Sequence, residues 1–122
     1  MLSATVETAA REFAAKLRAS PPIAAYWEAK GRLEADEEAQ RLLAELQRQQ
    51  RGFMLKQQNG DEVIQEEIDA LRALQQEVKR SRAIAAYFRS QQGAQAFLPL
   101  VNREISELLG FDFGSLAGAA GG

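Results

Sequence analysis

The centre of the chain carries two long stretches in which apolar residues recur at intervals of three and four positions. Such spacing places the apolar side chains on one face of a helix. Between the two stretches lie Asn59 and Gly60, which are typical of a turn. The pattern therefore predicts two long helices folded into an antiparallel hairpin within residues 36–81. The apolar face has Ala39, Leu42, Leu43, Leu46 and Phe53 in the first stretch and Ile64, Ile68, Leu71, Leu74 and Val78 in the second.

Shorter helices are predicted before the hairpin. Ser3 or Thr5 is suited to cap a first helix, which we expect to end near Ser20. Pro21 suits the first turn of a second helix with Ser20 as its N-cap, because the missing N–H costs little there. Asp36 is placed to cap the long third helix. Together with the segment after the hairpin, this pattern predicts an all-α protein of about five helices.

The fifth helical segment contains two residues that disfavour a straight helix. Gly93 costs ~1 kcal/mol relative to alanine and Pro99 costs ~3 kcal/mol. The segment either kinks where Pro99 clashes with the carbonyl of Gln95 or divides into two helices near Gly93. We expect Gly110 to end the segment in a left-handed cap.

Length and charge indicate one domain with solvated helix faces. A chain of 122 residues fits a single domain, and we predict that residues 1–110 form it. Residues 111–122 are rich in Gly and Ala and are predicted to be a flexible tail. The 15 basic and 17 acidic residues give a net charge of -2. The two signs alternate along the helices, which is not typical of a phosphate-binding stripe.

Cysteine and histidine are both absent from the sequence. Their absence removes thiol nucleophiles, disulfides, imidazole bases and the usual zinc ligands. No apolar run approaches the ~18 residues that would span a membrane, and the N-terminus lacks the pattern of a signal peptide. We therefore expect a cytoplasmic protein without a cofactor or metal, and we assign no catalytic residue.

Two segments of the sequence are similar to each other, and we call this similarity the internal echo. The eight residues from Ser20 to Trp27 align with those from Ser81 to Phe88 at an offset of 61 positions, which is 81 minus 20. Either the architecture is doubled or two helices begin with the same cap by chance. A doubled architecture predicts that Tyr26 and Trp27 occupy positions equivalent to those of Tyr87 and Phe88.

The two long helices present more apolar surface than the short helices are expected to cover. Contiguous exposed apolar patches usually mark an interface, and a second copy of the chain is the simplest cover. The alternative is a compact monomer whose fifth segment lies along the hairpin. Gln75, within the apolar seam, either lies at its edge or fixes the register against a partner chain. The residues predicted to be uncovered are Phe53, Met54 and Leu55 near the hairpin turn and Phe97, Leu98 and Val101 around Pro99.

An ordered set of segments resembles the YlbF/YmcA (YheA/YmcA-like) family of bacterial helical regulatory proteins. The set comprises Ser20-Pro21 before a Tyr-bearing helix, residues 36–43, the Gln-rich run to Asn59-Gly60, residues 81–87 and the closing residues 110–118. The resemblance implies a self-associating adaptor from a family that regulates competence, sporulation and biofilm formation. Some members act alongside an endoribonuclease in messenger RNA maturation. Others hold an iron–sulfur cluster on cysteines, which this chain lacks, so a cluster-free paralogue is the better match.

The sequence does not favour three classes of function equally. Long amphipathic faces and a polar hairpin tip favour an interaction or regulatory protein, and the resemblance implies an RNA-processing nuclease as one partner besides the chain itself. A nucleic-acid-binding or chaperone-like protein is the alternative. Arg48, Arg51 and Lys56 lie near the tip, but three glutamates are expected opposite them, so direct nucleic-acid binding is not favoured. An enzyme is not favoured, because no phosphate loop or nucleophile motif is present.

Overall fold

The computed structural model describes residues 1–121, and their side chains as far as Gly118. The described residues form helices and connecting segments without a strand, which confirms the predicted all-α class. There are six helices in this range: α1 (Ala4–Ala19), α2 (Pro21–Ala35), α3 (Glu37–Asn59), α4 (Gln65–Arg80), α5 (Arg82–Leu109) and α6 (Phe113–Gly121). In the part of the chain that is described, no helix is long and apolar enough to cross a membrane.

Three of the predicted helix ends are confirmed. The Ser3 side chain accepts a hydrogen bond from the N–H of Val6 at 3.3 Å and caps α1. Asp36 Oδ1 accepts from the N–H of Ala39 at 2.9 Å and caps α3. Gly60 ends α3 with a φ of 72°, in the left-handed region that favours glycine. Local side-chain chemistry therefore fixes where these helices begin and end.

The two serines aligned by the internal echo act in different ways. The Ser20 hydroxyl donates to the carbonyl of Lys16 at 3.0 Å, at the end of α1. The Ser81 hydroxyl accepts from the N–H of Ile84 at 3.3 Å, at the start of α5. The following aromatic pairs are more alike, since Trp27 is 48% and Phe88 50% exposed. Whether the two halves superpose stays a prediction.

The density of contacts divides the chain into two compact units. Unit 1 comprises Met1–Trp27 with Arg89–Gly122, and unit 2 comprises Glu28–Phe88. Helices α2 and α5 contribute residues to both units. The single domain over residues 1–110 stays a prediction.

Unit 2 is built around one apolar cluster to which four helices contribute. Helices α3 and α4 contact each other, and Lys56 of α3 forms an ion pair with Glu67 of α4 near the turn. These contacts are consistent with the antiparallel hairpin predicted from the sequence. Residues 57–62 at the turn are exposed, and so is Gln75. The buried members of the cluster are Leu33, Ala39, Leu42, Leu74 and Ile84, with Leu43, Leu46, Val78, Ala83 and Tyr87 packed around them.

The fifth segment forms one continuous helix, so the predicted alternative of two helices divided near Gly93 is wrong. Glycine lowers helix stability but can adopt helical dihedral angles, and α5 passes through Gly93 without a break. Pro99 also lies inside α5. Because proline has no N–H, the carbonyl of Gln95 cannot receive its usual helical hydrogen bond. The kink at this point stays a prediction, whereas the left-handed end at Gly110, with a φ of 83°, is confirmed.

Residues 113–121, which the sequence analysis placed in a flexible tail, form α6. The helix was not expected because the segment is rich in glycine, which disfavours helices. Asp112 supplies an N-terminal cap, since its Oδ1 accepts from the N–H of Ser115 at 3.0 Å. The mobility of this segment stays a prediction.

We expect Leu42→Ala to lower the free energy of unfolding by about 2–5 kcal/mol, because the Leu42 side chain is only 4% exposed within the unit 2 cluster. Leu108 of α5 is 82% exposed and lies outside both sets of predicted interaction residues. Leu108→Ala is therefore the control, with an expected loss of less than about 0.5 kcal/mol. Chemical denaturation measures both, and equal losses from the two variants would contradict the assigned core.

Candidate interaction surfaces

An apolar groove lies within unit 1. It is lined by residues of α1, α5 and α6 and has a volume of about 620 Å³. Its described lining contains no ionised side chain, and the polar groups there are the amides of Gln95 and Asn102. A groove of this composition favours contact with an apolar surface of another protein. We refer to it as the unit 1 groove, and its apolar lining is Phe13, Leu17, Leu98, Pro99, Val101, Ile105 and Phe113.

The register of α5 places one face of the helix along the unit 1 groove. Leu98, Val101 and Ile105 are separated by three and four positions, so their side chains lie on the same side of the helix. Leu98 is 44% exposed, whereas Val101 and Ile105 are half-buried. Of the predicted interaction residues around the proline, Leu98 and Val101 are thus brought into one groove, and Phe97 is half-buried.

Helix α6 is held against α5 by two side chains of α5. Asn102 Oδ1 accepts from the N–H of Gly114 at 2.8 Å, and Ser106 Oγ accepts from the N–H of Phe113 at 2.9 Å. Asn102 Nδ2 also donates to Asp112 Oδ1 at 3.4 Å. We call Asn102 and Ser106 the α5 clasp. It places Phe113 in the wall of the unit 1 groove.

Further apolar side chains of unit 1 are exposed around the junction of α5 and α6. Leu108, at 82%, is the most exposed of them. Exposed apolar side chains are ordinary on protein surfaces, and these do not line the unit 1 groove. The others are Leu100, Leu109, Phe111 and Leu116.

The predicted surface near the hairpin turn belongs to unit 2. Met54 is 59% and Leu55 is 52% exposed, so both side chains are accessible there. Phe53 is half-buried and lines a cleft of about 260 Å³ beside the ion pair of Lys56 and Glu67. The structure therefore leaves two of these three predicted residues open to solvent within this unit.

Charged groups near the same turn are paired with each other. Arg48 Nε donates to Glu45 Oε2 at 3.0 Å. Hydrogen bonds from Arg48 and then from Gln49 lower the pKa of Glu45 to about 2. Lys56 is paired with Glu67 across α3 and α4. Of the glutamates expected opposite the basic residues, Glu67 pairs with Lys56, whereas Arg48 pairs with Glu45 of its own helix.

Trp27 of α2 has a cationic neighbour in unit 1. The guanidinium carbon of Arg18 lies 4.7 Å from the centre of the Trp27 ring. At this distance a cation is attracted to the electron-rich face of the ring. The contact joins the end of α1 to α2 across the break at Ser20, and it was not predicted from the sequence.

A comparison with models of protein families identifies the family of this chain. Residues 6–109 match the family described as Com_YlbF, control of competence regulator ComK, YlbF/YmcA. The chain belongs to the YlbF/YmcA family. The predicted resemblance is thereby confirmed, and the family description supports a regulatory role for this YlbF/YmcA protein in general terms. A comparison with curated proteins and with solved structures finds no match.

Sequence reasoning missed part of the unit 1 groove. Phe13 and Leu17 lie on α1, and their meeting with α5 depends on tertiary structure. Ile105 follows Leu98 and Val101 at helical spacing, and that spacing was a usable signal. Phe113 was missed because the segment was interpreted as a tail, although Asp112 before it is a good N-cap residue. Among the residues that the structure describes, no group of three or more acidic, His or Cys side chains is placed to hold a metal.

The carboxylate of Asp112 gives the α6 cap a predictable pH dependence. The N–H of Ser115, and then the side chain of Asn102, lower the pKa of Asp112 below its ordinary value of 3.8. A lowered folded-state pKa means that the ionised carboxylate stabilises the cap above pH 3.8 and that this contribution is lost as the pH falls through the lower, folded-state value. We expect the NMR signal of the Ser115 amide to shift with a midpoint below pH 3.8.

Asp112→Asn is the control for this titration, because asparagine keeps a capping oxygen but has no ionisable group. The pH-dependent shift of the Ser115 amide should disappear in this variant. A midpoint at or above pH 3.8 in the unaltered protein would contradict the assigned cap.

Proposed function

We propose that this YlbF/YmcA protein is a non-enzymatic regulatory adaptor that binds a second copy of itself and a protein partner through apolar helix surfaces. The observation that carries the proposal is the unit 1 groove, whose described lining is apolar apart from two amides and one glycine. Burial of such a surface is favourable and roughly proportional to its apolar area. Its regulatory character is supported by the family match over residues 6–109.

The proposed primary contact surface is the α5 face with Leu98 and Val101, together with Phe13 of α1. Phe13 and Leu98 are each 44% exposed, so both retain apolar area that a partner helix can cover. Leu, Phe and Val side chains in such a groove suit the apolar stripe of an amphipathic helix. A second copy of this chain offers stripes of this kind on its own helices. Phe97, half-buried beside this face, is included in the proposed surface.

The proposed second contact surface comprises Phe53, Met54 and Leu55 near the hairpin turn. The exposure of Met54 and Leu55 supports it. Methionine and leucine side chains adapt well to apolar partners. The neighbouring ion pairs would form a polar rim around this small apolar patch, an arrangement common at protein interfaces.

The protein partner is proposed from the resemblance to the family. Some members act alongside an endoribonuclease in messenger RNA maturation, and we propose a nuclease of that class as a partner of this chain in the cytoplasm. Affinity purification from the native cell, followed by identification of the bound proteins, tests this proposal. Recovery of an RNA-processing nuclease with the unaltered chain and its loss with Leu98→Asp is the expected result.

We expect the unaltered protein to scatter light as a dimer of about 27 kDa, twice the 13.5 kDa of one chain. Leu98→Asp should raise the dissociation constant by about thirtyfold, the effect of losing a central apolar contact worth about 2 kcal/mol. Leu100→Asp is the matched control, since Leu100 is on the same helix and 58% exposed but lies outside the groove lining.

The two aspartate variants separate a specific interface from general effects on α5. A dimer that persists in Leu100→Asp and dissociates in Leu98→Asp supports the groove as the contact surface. A stable 13.5 kDa species in the unaltered protein would contradict self-association. Equal weakening by both variants would contradict the assignment to the groove.

A further inference from the structure

The contact between α6 and α5 is close and polar. A Cβ atom added to Gly114 would lie 2.9 Å from Asn102 Oδ1, which is too short for an ordinary contact. Glycine at this position therefore lets the N–H of Gly114 reach the Asn102 oxygen. Gly118 of α6 differs in this respect, because a Cβ atom there would meet nothing within 4 Å.

The contact between α6 and α5 is also weak. The hydrogen bonds that the α5 clasp accepts from Gly114 and Phe113 are exposed to solvent. Water can replace exposed hydrogen bonds with little net loss of free energy. Phe113 remains 44% exposed, so its apolar contribution to docking is also incomplete. Segments with few buried contacts and solvent-exposed hydrogen bonds open more readily than a protein core.

The connection between α5 and α6 can act as a hinge. Residues 110–112 join the two helices, and Gly110 has a φ of 83°. A short connection with a glycine in the left-handed region can change its dihedral angles without moving the helix before it. Opening at this point would remove Phe113 from the groove wall and leave the α1 and α5 lining in place.

We propose that α6 is a releasable cover of the unit 1 groove. In the docked state the α5 clasp holds Phe113 over part of the apolar lining. In the released state Leu98, Val101 and Phe13 gain exposed area for the apolar helix surface of a second copy of this chain. Docking of α6 thus limits self-association through the groove, and this consequence rests on the proposed function.

The test compares the same substitution at two positions of α6. Gly→Ala favours a helix, so Gly118→Ala should slow amide hydrogen exchange of residues 115–118 by about fivefold. Gly114→Ala has the same intrinsic gain, but the added Cβ forces the Asn102 side chain to shift, which weakens its hydrogen bond with the Gly114 N–H. We expect Gly114→Ala to speed exchange of these amides by about threefold or more, as for a segment released from its contacts.

Two further measurements test whether release of α6 exposes the groove and increases self-association. At a concentration well below the dissociation constant of the unaltered dimer, Gly114→Ala should bind more of an apolar fluorescent dye than the unaltered protein. At a concentration near that constant, it should show a larger dimer fraction by light scattering. Asn102→Ala removes the hydrogen-bond acceptor without altering α6 and should reproduce both effects. Gly118→Ala should change neither.

Slower exchange in Gly114→Ala, as in Gly118→Ala, would overturn the proposal, because the clasp would then not hold α6. Faster exchange without increased dye binding would also overturn it, because α6 would then not cover the groove. A third outcome is that Gly114→Ala releases α6 and binds more dye, while neither Gly114→Ala nor Leu98→Asp changes the mass measured by light scattering. This outcome supports the cover and contradicts the proposed self-association through the groove.

Discussion

Four helices meet at one small apolar cluster, and the rest of unit 2 depends on that meeting. Leu33, Leu42, Leu74 and Ile84 come from α2, α3, α4 and α5 respectively, and each is at most 7% exposed. The chain must turn between these helices without leaving backbone groups unsatisfied. The Asp36 cap, the left-handed Gly60 and the Ser81 cap supply those turns. Hydrophobic burial and local capping thus act together in this unit.

Several apolar side chains of unit 1 remain more exposed than the buried members of this cluster. In unit 1 the side chains of Phe13, Leu98 and Phe113 are each 44% exposed, and they line a groove rather than a closed core. An open apolar groove is costly in water unless something covers it for part of the time. A self-associating adaptor can use an open apolar groove as its contact surface, and docking of α6 can limit that contact.

The sequence predicted the features that depend on local chemistry. Ser3, Asp36, Gly60 and Gly110 end or begin helices as expected, because caps and turns are determined by a few adjacent residues. The continuity of α5 through Gly93 was one of two alternatives left open by the sequence. The formation of α6 was not predicted, because contacts elsewhere override weak local propensities. Leu98 and Val101 were predicted as interaction residues because they lie close to Pro99 in the sequence. Their partners Phe13 and Phe113 come from distant parts of the chain, which no short pattern specifies.

The proposed contact between the unit 1 groove and a second copy of this chain is tested most directly by photo-crosslinking in the native cell, with a crosslinking amino acid in place of Leu98 in one protein and of Leu100 in another. Since Leu98 lines the groove and Leu100 does not, we expect a covalent dimer from position 98 in much higher yield than from position 100. Absence of a covalent dimer from position 98, or equal yields from both positions, would contradict it.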